Sequence, residues 1–487
     1  MHYAGHMHWF FFALLSCTGP QTETDTDGVD TDTDDTTVPE EPVVIPLYAR
    51  AVEGGTGALV VSNGVPFPQG WVASTDELVL AEGGVEIALY TDAISTWADG
   101  SVKSALIQFE HESSALPAQL TLTTKGARTT ADRSAVPIDW TLPAAVAYPD
   151  AAWLTATGAF GPLVPHGTAA FASTWESRAV SGFDDLKGDA DWGDDVRYDG
   201  YYSTSLTWYL LFLQTGDTDT YSWARRELVH YRDDQIEASG QMNGRTEPRY
   251  LYLRAMEADW LLNGDPETAV VAGRMATYLS SNWDDDWYFY AASDENFWTE
   301  RRSAFPLLGT VVYARSFDRS AMAPTHGWVD NLLATQAEHS QGGYIHHLYA
   351  HDSDECPDVG AYGGSPFMTG LLYEALTAYH GETGDARIVD SVVAANDWMW
   401  DAGWDESGFS YLIGCPTSQP TAPDLNLLIA HGYAFACAET GESRHCDRAE
   451  QVFDHGVSEA YLGARKQYNQ NYRSSPAYVA WMARSGE

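Results

Sequence analysis

The chain has 487 residues, of which 44% are hydrophobic and 13% aromatic, a composition that excludes global disorder. At roughly 100–200 residues per domain it has room for two to four. Lys and Arg number 26 against 69 Asp and Glu, for a net charge of −43, so the chain lacks the basic footprint of a nucleic-acid binder and is repelled by anionic lipid.

Trp9 to Leu15 is a short apolar run that ends in Leu14-Leu15-Ser16-Cys17. Its length suits a signal h-region, not a membrane span, and no run approaches the roughly 18 residues a span needs. The ending resembles the bacterial lipobox, in which the Cys is lipidated and becomes the new N-terminus. Residues 1–8 depart from that pattern, carrying His2, His6 and His8 but no Lys or Arg. The expectation is a signal peptide over 1–17 with lipid on Cys17. Thr18 after the Cys resembles lipoproteins sorted to an outer membrane, so the expected location is the bacterial cell envelope, at the outer membrane or cell surface. The membrane is then touched only through the lipid.

Residues 18–42 hold nine acids and no base among Thr, Pro and Gly. Such a segment cannot offset its ordering entropy and reads as an extended tether. Its DxDxD stretch lacks the central Gly, closing Glu and flanking helices of an EF-hand loop. Without the tether, 60 acids still face 26 bases. Only four of these bases are Lys: 103, 125, 187 and 466.

Residues 43–145 switch to short alternating or apolar runs, such as Val43 to Leu47, Val85 to Tyr90 and Val102 to Phe109. Gly, Pro, Asp and Ser bound them at about ten-residue spacing, which predicts an antiparallel β-barrel or sandwich. Asp99-Gly100 is a hairpin turn. After a connector over 146–189, residues 190–487 repeat a loop, an apolar helix, a turn and an amphipathic helix. The turns are Thr215-Gly216-Asp217, Asn263-Gly264-Asp265, Thr383-Gly384-Asp385 and Thr440-Gly441-Glu442, with a degenerate one at Ser316 to Pro324. Gly suits a helix C′ position, and the acid suits the next N-terminus. First helices near 200, 247, 301, 364, 424 and 474 give a period of about 55, which predicts six hairpins in an (α/α)6 toroid.

Gly64-Val65-Pro66-Phe67-Pro68-Gln69-Gly70 and Trp97-Ala98-Asp99-Gly100-Ser101 resemble the G-x-P-F-x-x-G and W-x-D-G-S of the exo-acting rhamnogalacturonan lyases. The order Asp191-Trp192-Gly193-Asp194, Tyr198, Tyr201, Thr215-Gly216-Asp217, His230 and Arg232-Asp233-Asp234 is similar to that family's C-terminal toroid. The resemblance implies a barrel, a toroid and cleavage of a uronate-containing glycan. It departs in one respect: the family's central β-sandwich is missing. No catalytic residue is carried over, and the two motifs themselves read as turn and packing residues.

In a toroid the loops before the inner helices converge on one funnel. Candidate binding residues there are Asp199, Tyr201, Arg249, Trp298, Arg301 and Arg302, then Tyr344, Tyr362, Asp424, Asn426, Tyr472 and Arg473. Rings suit sugar C–H faces, and Arg suits carboxylates. For β-elimination the expected reacting set is His347 as base, Arg245 on the carboxylate and Tyr202 as acid. His346 is the alternative base. Glycoside hydrolysis needs two carboxylates, for which Glu247, Asp199, Asp405 and Asp424 are candidates. A non-catalytic glycan-binding lipoprotein is the third reading. No cofactor is expected: a metal near His346, His351 and Asp352 is disfavoured because adjacent His residues on a strand face opposite ways. The expected partner is an oligo- or polysaccharide, the expected state a monomer. An even four Cys in the exported body predicts two disulfides, Cys437 with Cys446 across a helical turn and Cys356 with Cys415 between funnel-side loops.

Overall fold

The computed structural model describes residues 41–52, 54–187, 200–282, 299–339, 341–348, 356, 362–417 and 419–486. Cys17, Asp199, Trp298, His351 and Asp352 lie outside the described residues, as do 191–198 of the family-like order.

Eight strands form the N-terminal part: β1 (Val44–Ala51), β2 (Ala58–Pro66), β3 (Val79–Glu82), β4 (Val85–Ile87), β5 (Tyr90–Thr96), β6 (Val102–Glu112), β7 (Ala118–Thr123) and β8 (Ala145–Tyr148). They make one sheet in the order β4-β3-β7-β1-β8-β2-β6-β5. All pairs are antiparallel except β2 with β8, and β6 pairs with β2 from Ser104 opposite Pro66 to Glu112 opposite Ala58. Alternation puts Ile45, Leu47, Val61, Ile107, Phe109 and Leu122 in a single core fed from both halves of the sheet. One sheet whose inner face converges on one core must curl, so the barrel expectation resolves into a curled eight-stranded sheet with β4 and β5 at its edges.

The helical part is a double ring. The inner helices are α3 (Thr204–Thr215), α5 (Leu253–Asn263), α7 (Glu300–Ser316), α9 (Pro366–Thr383), α11 (Ala430–Thr440) and α14 (Ser475–Ser485). The outer helices are α2 (Ser173–Leu186), α4 (Thr218–His230), α6 (Pro266–Asn282), α8 (Ala323–His339), α10 (Arg387–Gly403) and α12 (Ser443–Glu459). Two short helices, α1 (Ala151–Ala156) and α13 (Arg465–Tyr472), join layers. The inner helix α3 is buried from Thr204 through Gln214, as an all-round apolar sequence requires. It ends on Gly216 at φ 69°, and the Asp217 carboxylate then caps α4 by accepting from the Asp219 and Thr220 amides.

Five inner helices lead directly into their outer partners. The sixth pair is made from the two ends of the ring. The stretch read as a connector supplies the outer helix α2, which packs where the chain closes on α14. There the Trp175 indole donates to Ser475 Oγ at 3.0 Å, and the Tyr468 phenol donates to the Ala179 carbonyl at 3.1 Å. Trp175, Ala179, Phe183 and Leu186 are buried at helical spacing on α2.

The sheet lies on the C-terminal ends of α5 and α7. A Cβ at Gly64 would sit inside contact distance of the Leu261 carbonyl, so the first glycine of the family-like motif is needed for this approach. Ser104 Oγ donates to the Leu261 carbonyl at 2.6 Å, and Ser95 Oγ donates to the Ser316 carbonyl at 2.8 Å. The two motifs bind each other: the Trp97 indole donates to the Phe67 carbonyl at 3.0 Å, and the Gly70 amide donates to Ser101 Oγ at 2.8 Å. Asp99 accepts from the Ser101 amide and hydroxyl, closing the hairpin. Both predicted disulfides are formed, Cys437–Cys446 with Cα atoms 4.8 Å apart and Cys356–Cys415 at 5.8 Å.

Candidate active site

With the sheet at one end of the ring, the N-termini of the inner helices meet at the other. At the start of α3 the chain turns through two non-glycine residues of positive φ, Tyr202 at 68° and Ser203 at 74°. Such a pair persists only where its surroundings hold it. The Tyr252 phenol accepts from the Tyr202 amide at 3.2 Å, and Asn469 Nδ2 donates to the Tyr201 carbonyl at 3.1 Å. Ser203 Oγ caps α3 by accepting from the Leu206 amide at 3.2 Å. The result is a fixed presentation of Tyr201 and Tyr202, whose ring centroids lie 4.2 Å apart.

Cations gather on this aromatic pair. Arg301 Nη1 donates to the Tyr201 phenol oxygen at 3.2 Å, and Lys466 lies 5.9 Å from the Tyr201 ring. Tyr250, 5.6 Å from Tyr201, carries the guanidinium groups of Arg245 and Arg249, each 5.1 Å from its ring centroid. Glu247 pairs with Arg249. Burial lowers the Arg302 guanidinium, Glu247 raises it in part, and Arg249 and Arg301 lower it further. Of the sequence-predicted residues, the fold thus joins Tyr201, Tyr202, Arg245, Glu247, Arg249 and Arg301, with Arg302 beside them. Burial pushes the Tyr202 phenol well above its ordinary value, and Tyr201 adds to that, so Tyr202 stays protonated.

The histidines form a second group. His346 and His347 sit on a two-residue strand, β9, paired with β10 (Tyr362–Gly363). As the alternation requires, they face opposite ways. His346 Nδ1 lies 2.5 Å from Glu300 Oε2 in full burial, and Glu300 Oε1 accepts from the Ser365 amide at 2.8 Å. This buried pair ties β9 to the starts of α7 and α9. His347 packs 5.4 Å from the ring of Tyr362, which is 41% exposed.

Several predicted binding residues brace the wall instead. The Tyr344 phenol is 2.7 Å from Ser391 Oγ on α10, between the helix layers. The Tyr472 phenol donates to Gln214 Oε1 at 2.8 Å and meets His166 Nε2 at 3.0 Å. Asn426 is fully buried and donates to the Ser407 carbonyl at 3.3 Å. Arg473 is buried and clamps both oxygens of Glu374 at 2.8 Å, while its guanidinium lies 5.7 Å from the Tyr202 ring. Asp424 is exposed, and its carbonyl accepts from Gln470 at 3.3 Å. These partners hold Tyr344, Tyr472, Asn426 and Arg473 in internal contacts.

Sequence reasoning passed over Tyr250, Tyr252, Lys466 and Glu374. Glu374 had a signal, an acid in the apolar middle of the helix Pro366–Thr383, whose other acid, Glu382, stands at its end. Lys466 had another, as one of four lysines in an acidic chain.

No protein-family model matches the chain, and no curated protein is similar to it. Among solved structures it is similar to an unsaturated glucuronyl hydrolase from Bacillus sp. GL1, at 11% identity over 62% of this chain and 96% of that one, with a TM-score of 0.46. A glycosyl hydrolase family 88 protein from Bacteroides vulgatus gives 9% identity, coverage of 64% and 99%, and 0.46. A D-mannose isomerase gives 12% identity, coverage of 65% and 97%, and 0.47.

Proposed function

We propose that this protein is a carbohydrate-active enzyme that binds a uronate-containing glycan at the inner-helix N-termini and cleaves it by β-elimination. The observation that carries this reading is the cation cluster on Tyr201 and Tyr250. A chain of net charge −43 repels a polyuronate over most of its surface, and a local group of four Arg and one Lys reverses the sign where binding is needed. Arg301 and Arg245 take the carboxylate, which acidifies the neighbouring C–H. The Tyr201 oxygen already accepts from Arg301, leaving its O–H to donate to the departing oxygen, with Tyr202 as a second protonated donor. His346 is committed to Glu300, so His347 beside Tyr362 is the base of this reading. The predicted positions Asp199 and Trp298 complete the expected binding set, and Cys17 carries the anchoring lipid at the cell envelope.

Glu247 favours a second reading. Its side chain is 42% exposed beside Arg249, and with Asp199 it would supply the two carboxylates of a hydrolase. A panel of pectic and alginate polysaccharides separates the two. Ultraviolet absorbance from an unsaturated uronate means elimination. New reducing ends without that absorbance mean hydrolysis. Saturable binding without either product means a glycan-binding protein and overturns the enzymatic reading.

A further inference from the structure

The toroid axis holds a second feature, at the end away from the funnel. A cavity of about 200 Å³ runs between the sheet and the inner ring, walled by Trp97, Phe160 and Trp481. Arg254, Arg315, Glu374 and Glu382 line it as well, and it reaches the surface at the exposed Gly381.

The charges around this cavity do not balance. Glu374 receives Arg473 through both oxygens at 2.8 Å and also Arg254 at 3.1 Å, so two guanidiniums share one carboxylate. Glu257 receives Arg315 through both oxygens, at 2.6 and 2.5 Å, and also Lys103 at 3.8 Å, so two cations share one carboxylate again. Glu382 has Arg319 at 3.9 Å. His431, on the remaining wall, is held below its ordinary value by burial and is neutral. Arg319 is 44% exposed and solvated, which leaves four buried cations, of which Arg254 and Arg315 line the cavity, against three carboxylates, in a chain that carries 69 acids and 26 bases. Uncompensated buried charge is costly, and an anion brought to it gains strongly.

We propose that this axial cavity is a ligand site for a single-ring sugar acid, its carboxylate on Arg254 and Arg315 and its ring between Trp97, Phe160 and Trp481. The anion follows from the one excess buried positive charge. The ring follows from the aromatic walls and from Glu382, which accepts from hydroxyl groups. The size follows from the volume, which falls below the roughly 300–1,000 Å³ of sites for larger ligands and holds no polymer. Burial also lowers the Arg254 guanidinium despite Glu374, the state an incoming carboxylate relieves. The proposal does not rest on the chemistry assigned to the funnel.

Titration calorimetry of the whole chain tests it, with galacturonate and glucuronate as probes and galactose and sulfate as controls. The expected result is saturable binding of a sugar acid, weakened at least tenfold by Ala378→Phe, which fills the cavity without touching its charges, and kept in Arg301→Ala at the funnel. Arg254→Met should weaken binding as well, with circular dichroism to verify folding. Unchanged binding in a folded Ala378→Phe protein overturns the proposal, as does absence of binding by the wild type. Equal binding of galactose overturns the anion assignment, and equal binding of sulfate overturns the sugar ring. Loss in Arg301→Ala with retention in Ala378→Phe assigns the binding to the funnel and refutes the cavity.

Discussion

Arg301, at the start of α7, donates to the phenol oxygen of Tyr201 at 3.2 Å across 100 residues of sequence. The contact joins two inner-helix N-termini and orients the one hydroxyl that several cations surround. Arg301→Ala should lower kcat on a cleaved uronate glycan by about 100–1,000-fold, the size of a lost charge-stabilising donor. Tyr201→Phe should lower it by about 100-fold, the general-acid size, with little change in melting temperature. Arg301→Lys should not restore the rate, because an ammonium lacks the guanidinium fork. Steady-state kinetics with thermal melts checks all three.

His346 and His347 separate by role. His346→Ala leaves the buried Glu300 without its ring partner and should cost about 1–3 kcal/mol of stability. His347 is also buried, so His347→Ala should cost stability too, but it should in addition lower kcat by at least about 100-fold. Chemical denaturation and kinetics on each variant test the pair. A His347→Ala enzyme of wild-type rate would move the base to another residue and bring Glu247 forward.

Glu374 is the electrostatic keystone of the ring axis. Burial pushes its carboxyl up, but Arg473 and Arg254 more than reverse this and pull it down to about 2. A carboxyl depressed in the folded state stabilises fully above its unfolded value of 4.5 and loses that contribution as pH falls toward about 2. Acid titration followed by circular dichroism should therefore show stability draining away through this window. Glu374→Gln should cost about 3–5 kcal/mol at neutral pH, since it strands two buried guanidiniums, and should flatten the acid limb.

Lys103 gives a slope of the same sign at the alkaline end. Burial lowers its ammonium to about 8, and Glu257 only partly offsets this. Between about 8 and 10.5 the unfolded chain binds more protons at this site than the folded one, so its contribution to stability rises with pH through that window. Lys103→Met should remove the rise. Melting temperatures measured from pH 7 to 10 on both proteins check it.

The two disulfides should differ in worth. They close loops of 9 and 59 residues, for which chain entropy gives about 2.6 and about 4.2 kcal/mol. Replacing Cys356 and Cys415 by Ser should therefore lower the denaturation midpoint more than replacing Cys437 and Cys446. Free-thiol labelling before and after reduction verifies the pairing.

Local chemistry was legible in the chain. Gly216, Gly264, Gly384 and Gly441 announced the inner-helix ends because only a residue without Cβ takes a left-handed φ cheaply, and all four have it. Strand alternation, the apolar inner helices and the Cys437–Cys446 pairing followed equally from short-range pattern, which depends on neighbours a few residues away, whereas Cys356–Cys415 followed from the repeat that puts both in funnel-side loops. What the tertiary structure alone decided is which distant residues share a space. The helix at 173–186 closes the ring because the last inner helix needs an outer partner, a demand that no local pattern expresses. Tyr344, Tyr472 and Arg473 had the right residue types for a sugar site, yet their polar atoms are bound inside the wall, since a buried phenol or guanidinium must find a partner wherever the packing offers one. The clustering of Arg245, Arg249, Arg301 and Lys466 on two tyrosines, and the unbalanced charge along the axis, arise from contacts between helices up to hundreds of residues apart. Charge in sequence fixes the total, and only folding fixes where it is concentrated.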